Sequence, residues 1–558
     1  MYRKPLFVHS DQTIYLIESL DSNREVSEKL NQFSEQVKAP EGVFTFKITP
    51  HSIWSAAARK LSSSEIISFL KEHSQNHIQP ALEEMIHRHI KEFGTLKLIR
   101  SNDYLDLEAI HPSIISKIQN ETELIALEPI KVDDRTLRFT STNRSKIKET
   151  LFNLNFFVSD ESNTFGEPLE IRLNPKTKSD MYFTLRPYQD DAVNSYLEYS
   201  ESTGGGVIMM PPTSGKTIVG LKIIEQLKTC TLVLVENFAS GSKWLRELSD
   251  KTDLSKNSIG YFQGDPSDIK PITIAEYPQF KNIDALESIQ TVDWGLIIYD
   301  NAHRLPADTF SQTVDIPSYK KLGFASTLAR SDQKGQLVHA WIGPKLYEIL
   351  PRTLEIQGFV KSVSCMEVRI PLQGEDLDHY NYSRAREDTP SMLKIAAMNP
   401  NKITSLKPIL VPNMSENILI VSYKPALAKQ ISNEFDYPFI HTSTLDKELQ
   451  SIIDLFNLRK KTRLVTTSIS EQIPITSIDV MVALSYNHGS EREEYLRVGK
   501  LMFPEKGTSK GVLVSFVSEN TVEEGAYTRR RRSMIRNGYR YKITSLSDLL
   551  EGKVTIWD

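Results

Sequence analysis

The sequence predicts an α/β protein with two parallel sheets, each covered by helices on both faces, preceded by an N-terminal accessory domain and a small α+β module. Three observations carry this. From Leu185 onward, short apolar runs alternate with helical periodicity, the pattern of strand–helix–strand units in a parallel sheet. The alternation occurs twice, over 185–345 and again from Asn417 to Val517, so two sheets are expected. Residues 1–175 lack it and mix short strands with small helices. At 558 residues the chain has room for three or four domains, each able to bury its own core.

Taken in order, residues 1–95 make the N-terminal domain. His51–Lys60 and Ser64–Lys71 read as small amphipathic helices, and Pro80–Lys91 as a third with proline in its first turn. His87 and His89 are two apart, so their rings diverge on a helix and are expected in solvent. Residues 96–175 read as the α+β module, with strands at Leu96–Arg100, Thr122–Leu127 and Arg135–Thr140 and a helix at Arg144–Leu154. The polar stretch Asn174–Asp180 reads as a linker. The first α/β unit spans 185–345, and an insertion over 346–412 carries a mixed-charge helix at Leu377–Glu387. The second unit spans 413–558, with strands at Asn417–Ser422, Thr462–Thr467 and Asp479–Ser485 and a last one at Gly511–Val517. Trp244, Trp294 and Trp341 are assigned to the core.

Composition narrows the class. The net charge is −4, so any nucleic-acid contact has to come from local basic patches. The two cysteines, Cys230 and Cys365, have no paired spacing, which argues against zinc or iron–sulfur sites and fits a reducing compartment. The N-terminus has no signal-peptide pattern, and no run reaches the ~18 apolar residues that cross a bilayer. A soluble cytoplasmic protein with no membrane partner is expected.

The chemistry sits at predicted strand ends. Gly206–Met210 reads as a buried strand, Met210-Pro-Pro-Thr-Ser-Gly-Lys-Thr217 follows, and Ile218–Leu227 is helical. This is a phosphate-binding loop, although its first position holds Met210 instead of glycine. Pro212, Thr213, Ser214 and Gly215 form the loop, and backbone N–H groups at the helix start cradle phosphates. Lys216 reaches the outer phosphates, and the Thr217 hydroxyl holds magnesium. Leu296–His303 is an apolar strand ending in Asp300, the second metal-holding position. Asn301 follows it, and an amide is no base near neutral pH. The pattern is built to bind ATP with magnesium and poorly equipped to split it.

Further motifs give a family. Leu185-Arg-Pro-Tyr-Gln-Asp-Asp-Ala192 resembles the adenine-side entry motif of superfamily-two helicases. Thr231–Glu236 with Trp244 resembles their first DNA-tracking motif, and Pro271–Tyr277 the next. Gly323–Arg330 resembles the linker between nucleotide and DNA sites. Ile342–Glu348, Met398–Lys402, Asn487–Ser490, Val517–Val522 with Gly538-Tyr539, and the opening segment including Phe44–Trp54 resemble the XPB family of DNA-repair helicases in particular. The resemblance covers nearly the whole chain. It implies two RecA-like lobes that bind ATP–magnesium between them and DNA across their top, with 3′-to-5′ translocation. It also implies a damage-recognition-like role for 96–175 and a DNA-gripping thumb near 346–412. By the same resemblance Arg186 and Gln189 hold the adenine side, His303 relays between the nucleotide and DNA sites, Arg330 belongs to the DNA site, and Arg497 and Lys500 belong to the last catalytic motif.

The departures from the family concentrate at the chemistry. Asn301 stands where the family has Glu. The Arg-Glu-Asp after the linker motif appears as Arg330-Ser331-Asp332, and the Gly-Asp of the fifth motif is replaced around Ile469-Ser470. The last motif runs Leu496 to Phe503, with Lys500 for its second arginine and Phe503 for the arginine that contacts γ-phosphate. A positioned base is worth ~10²–10⁴ in rate, and an arginine finger ~10³–10⁵. Losing either leaves hydrolysis slow unless another carboxylate, Glu471 or Asp332, stands in. The densest basic cluster, Arg529 to Arg532, lies on a predicted helix and is assigned to single-stranded or forked DNA. The expected function is a nucleotide-dependent switch or scaffold in DNA repair. The alternatives are a fully active helicase, and a protein-interaction partner of a nuclease or active helicase.

Overall fold

The computed structural model describes residues 4–557 apart from 22–23, 39–41, 163–165, 179, 181, 308–309, 329–331, 333, 442–443, 445, 468–474, 487–490, 504–509 and 537–538. Arg330, Ile469-Ser470, Glu471, Asn487–Ser490 and Gly538 therefore lie outside the described residues. The chain folds as two compact units. The first comprises 1–37, 43–211 and 215–349; the second comprises 350–558 with the short segments 38–42 and 212–214.

The first unit opens on a four-stranded sheet in the order Leu6–Val8, Thr13–Ile17, Val43–Lys47, Glu35–Lys38. Three helices follow. Pro50–Ala58 and Ser63–His73 start in capping boxes, Thr49 with Ser52 and Ser62 with Glu65, and Pro80–Glu92 starts on its proline. A five-stranded sheet comes next, ordered Ile130–Lys131, Thr136–Thr140, Tyr104–Ala109, Leu96–Ser101, Val158–Asp160. The strand expected at Thr122–Leu127 is instead a helical turn, Thr122–Ile125. Its packed residues, Leu124 and Leu127, are three apart, so a helical turn puts both on one face where strand alternation would split them.

The first parallel sheet runs Ile259–Phe262, Ile272–Glu276, Thr231–Val235, Trp294–Tyr299, Ser318–Ala325, Gly205–Met209, Lys345–Glu348. Its core is continuous with the accessory parts: Trp54 and Phe152 share one apolar cluster with Trp294 and Trp341. Polar contacts join the same parts. Arg59 donates to the Lys345 carbonyl at 2.8 Å, and the Lys345 ammonium reaches Glu348 and the Ser34 carbonyl. Buried Asp160 pairs with Arg144 at 2.8 Å and Lys148 at 3.1 Å. Burial alone would raise that carboxyl, but the two cations outweigh it and hold its pKa well below the usual value.

The second unit holds another seven-stranded parallel sheet: Phe439–Ile440, Arg463–Thr466, Ile418–Ser422, Val480–Ser485, Lys510–Ser518, Ser362–Ile370, Arg540–Ser545. Three strands extend it beyond the sequence expectation, the short edge strand Phe439–Ile440 among them. Ser362–Ile370 falls inside the segment assigned to the insertion, and Arg540–Ser545 follows the strand expected to be last. The insertion's mixed-charge helix is present as Gly374–Ala385. Among the described residues, no helix is long and apolar enough to cross a membrane.

Candidate nucleotide and DNA sites

The phosphate loop leaves the strand Gly205–Met209 and enters the helix Lys216–Leu227. Two residues take left-handed backbone, Thr213 at φ 62° and Gly215 at φ 86°. Glycine is required at the second for space as well. A Cβ on Gly215 would stand 2.3 Å from Nε2 of Gln189. Gln189 is buried on the helix Pro187–Tyr199, and its Oε1 accepts from the Arg186 backbone N–H at 2.9 Å. Gln189 of the expected adenine-side pair thus stands directly against the loop. The Lys216 ammonium donates to the Met210 and Pro211 carbonyls, both at 3.2 Å, and to the Ser326 hydroxyl at 3.1 Å. Phosphate oxygens are stronger acceptors for the same donors. Thr217 is buried in the first helical turn.

Asp300 ends the strand Trp294–Tyr299 and is held from three directions. Its N–H bonds the Leu234 carbonyl at 2.9 Å, its carbonyl accepts from the Tyr277 hydroxyl at 3.0 Å, and its Oδ2 accepts from the Trp244 indole N–H at 3.0 Å. Trp244 reaches that place because Gly220 on the loop helix leaves room for it: a Cβ there would meet the indole at 2.4 Å. Burial, then the negative charge of Asp300, push the Tyr277 phenol well above its ordinary pKa, so it stays a neutral donor. Trp244, Trp294 and Trp341 are all buried, as expected. Thr217 and Asp300 supply hard oxygen donors, the chemistry magnesium takes from a protein when phosphates provide the rest.

Asn301 adopts left-handed backbone, φ 57° and ψ 49°, and starts a short 3-10 turn over Ala302–Arg304 that includes half-buried His303. Asparagine tolerates this region better than most residues. The sequence reading missed a second feature here: Arg304 is ion-paired with Glu236, the residue ending the neighbouring strand. In the parallel register Leu234 lies opposite Tyr299, which carried two residues on sets Glu236 beside Asn301.

The arginines of the second unit depart from expectation. Arg497 and Arg530 are both buried, with guanidinium groups 4.3 and 3.9 Å from the Tyr486 ring. Glu494 bonds Arg497 at 2.6 Å and lies 3.9 Å from Arg530. Arg531 donates to Glu367 at 3.3 Å. Arg529 and Arg532 are exposed. Of the four arginines expected to face DNA, only these two are exposed, and the expectation is corrected for Arg530 and Arg531. The cause is helical geometry: at ~100° per residue, four consecutive side chains go most of the way round the helix. Arg530, pointing inward on Val522–Arg536, cannot reach a phosphate backbone. Lys500 is half-buried one turn after Arg497, and Phe503 is 38% exposed.

Two RecA-like parallel sheets, the first carrying a phosphate-loop sequence with an aspartate at a nearby strand end, are the architecture of superfamily-two helicases. Residues 182–330 match the family described as "Type III restriction enzyme, res subunit", and 6–132 match "Helicase conserved C-terminal domain". Residues 354–555 match "ERCC3/RAD25/XPB C-terminal helicase". The chain is 28% identical over 555 residues to a DNA 3′-5′ helicase XPB of Mycobacterium tuberculosis, covering 98% of each. It is 23% identical to the general transcription and DNA repair factor IIH helicase/translocase subunit XPB of Dictyostelium discoideum, covering 97% of this chain and 77% of that one. Among solved structures, the ATP-dependent Type ISP restriction-modification enzyme LlaBIII bound to DNA shares the fold, with a TM-score of 0.50 and 15% identity over 65% of this chain and 31% of that one. The chain belongs to the XPB family of DNA helicases.

Proposed function

We propose that the chain binds ATP–magnesium at the phosphate loop and binds DNA, hydrolyses ATP slowly, and works as a nucleotide-dependent switch or scaffold in DNA repair or a related DNA transaction. One observation carries the reading: Lys216 and Asp300 stay in a hydrogen-bonded frame with Thr217 buried at the start of the loop helix, while Asn301 holds the base position in a backbone conformation that suits an amide. In this reading Lys216 and the loop from Pro212 to Gly215 hold phosphates, Arg186 and Gln189 face adenine, and Thr217 and Asp300 hold magnesium. The metal screens phosphate charge when bound. The two buried free cysteines fit a reducing, cytoplasmic setting.

A second reading, a fully active 3′-5′ translocase, has one feature in its favour. Glu236 brings a carboxylate to the level of Asn301, although Arg304 engages it. ATPase turnover with and without single-stranded and forked DNA separates the two, with calorimetry reporting ATP binding alone. Binding with turnover far below ~1 s⁻¹, the low end of ordinary enzyme rates, supports the switch. Turnover at or above that rate gives the active enzyme, and no ATP binding rejects both.

A further inference from the structure

A cleft of about 380 Å³ lies in the accessory half of the first unit, apart from the nucleotide and DNA sites described above. The helix Pro80–Glu92 forms one wall, through Met85, Arg88, His89 and Glu92. Lys117 and the segment Leu154–Phe156 form the other. The volume is near the low end for small-ligand sites, about 300–1,000 Å³, and so suits one compact ligand.

The lining has two characters. Arg88 and Lys117 are exposed cations against a single acid, Glu92. Together these favour an anion. Met85, Leu154 and Phe156 supply an apolar wall with one aromatic ring. His89, expected in solvent, is instead 3% exposed. Its Nδ1 is buried 3.6 Å from the Glu92 carboxylate, and its Nε2 lies 3.5 Å from the Arg88 guanidinium. Burial lowers its pKa to about 4, so near neutral pH the ring offers one N–H donor and one acceptor.

We propose that this cleft binds a nucleoside monophosphate unit, with the phosphate on Arg88 and Lys117 and the base against Phe156. An acidic peptide would use the cations and leave the ring idle. The unit has two sources, a free mononucleotide or one nucleotide turned out of a DNA strand. The strand form rests on the DNA reading above; the free form does not.

Two probes separate the sources: free dAMP, and a single-stranded 15-mer with one central 2-aminopurine whose emission reports unstacking and restacking. The full chain is titrated with each in the absence of ATP. Arg88→Glu with Lys117→Glu changes only exposed side chains, and thermal melting checks that it folds. Phe156→Leu keeps the apolar wall and removes the ring. The expected result is at least ~10-fold weaker binding of one probe in the charge-reversed protein, since two charge-assisted phosphate contacts are lost. Phe156→Leu should abolish the emission change with the 15-mer, or weaken dAMP several-fold. Displacement of the 15-mer's signal by millimolar dAMP assigns a free-nucleotide site, and resistance to it assigns a strand nucleotide. Three results overturn the proposal: no binding response from either probe, wild-type responses in both variants, or inorganic phosphate competing as well as dAMP. ATP affinity, measured separately, should be unchanged in both variants, so failure here and failure of the loop as an ATP site are distinguishable.

Discussion

The two parallel sheets have seven strands each and treat their charged residues in opposite ways. In the first, Lys216 and Asp300 stay at strand and loop ends, held by donors and acceptors that a ligand can replace. In the second, Arg497 and Arg530 turn inward onto Tyr486 and Glu494, and Glu367 is buried among Arg369, Arg531 and Tyr541. A charge used for ligand binding needs a weak, exchangeable partner. A charge used for structure needs permanent ones, because an unpaired buried charge is strongly destabilising. One sheet has kept the first kind and the other has built the second. That contrast is what the proposed slow-hydrolysing switch calls for.

The largest expected difference between the units is in acid. Burial, reinforced by neighbouring cationic rings, lowers His51 to about 3, and burial lowers His89 and His339 to about 4. All three lie in the first unit. Unfolded histidines take up protons as pH falls through about 6.5, whereas these do not until about 3–4, so the unfolded chain gains protons first. Their stabilising contribution is complete above pH 6.5 and is lost as pH falls from there toward 4. Three such shifts amount to more than ~5 kcal/mol. Hydrogen exchange followed peptide by peptide should show the first unit opening in that window before the second. Simultaneous opening would remove the distinction.

Lys216→Ala tests the exchangeable side of the comparison. Losing two or more charge-assisted hydrogen bonds at ~1.5–3 kcal/mol each should weaken ATP by at least ~100-fold. Calorimetry with magnesium reads this directly, and an unchanged Kd would mean that the loop is not the nucleotide site. The combined variant Asn301→Glu, Lys500→Arg, Phe503→Arg tests the lost groups. DNA-stimulated turnover should rise by at least ~10²-fold, the lower end for a general base. Asn301→Glu alone should raise it little, because base and finger act on one transition state. Glutamate at φ 57° also costs about 1 kcal/mol of strain. A combined variant that binds ATP and DNA and stays inert would place the defect elsewhere.

Trp244→Phe should have a smaller, selective effect. It keeps an aromatic ring, gives up the outer edge of the indole that faces Gly220, and removes the N–H that bonds the Asp300 carboxylate. ATP affinity with magnesium should fall about 3- to 10-fold, in line with ~0.5–1.5 kcal/mol for one hydrogen bond. Affinity in EDTA should not change. Equal losses in both conditions would mean a general packing defect.

The alternation after Leu185 and the strand-end motifs were legible because they are local patterns. The strand Ser362–Ile370 was not, because its Ser364, Glu367 and Arg369 look like solvent residues until Arg531 and Tyr541, more than 150 residues later, bury Glu367. The tether from Trp244 to Asp300 spans 56 positions and depends on a gap left by Gly220, which no spacing rule encodes. His89 failed differently. Its spacing from His87 was read correctly as divergent faces, but the buried face belonged to His89, because the neighbouring module closes over it along with Trp54 and Phe157. In each case the missing information was a tertiary partner.

The smallest expected effect tests the correction to the arginine cluster. Arg529 and Arg532 are exposed, so Arg529→Ala with Arg532→Ala removes charge without touching the core. If both meet phosphates of a single strand, the slope of log Kd against log salt should fall by about 1.4, from ~0.7 for each lost contact. Melting should stay at the wild-type temperature. Arg530→Ala should do the reverse. It removes the cation stacked 3.9 Å from Tyr486 and leaves Glu494 with Arg497 alone, so the second unit should lose stability while the salt slope stays put. Opposite outcomes for neighbours on one helix would separate the exposed charges from the buried ones. A salt slope that falls with Arg530→Ala, in a protein that still melts normally, would mean that the inward arginine swings out to DNA and that the second sheet also holds its charges exchangeably.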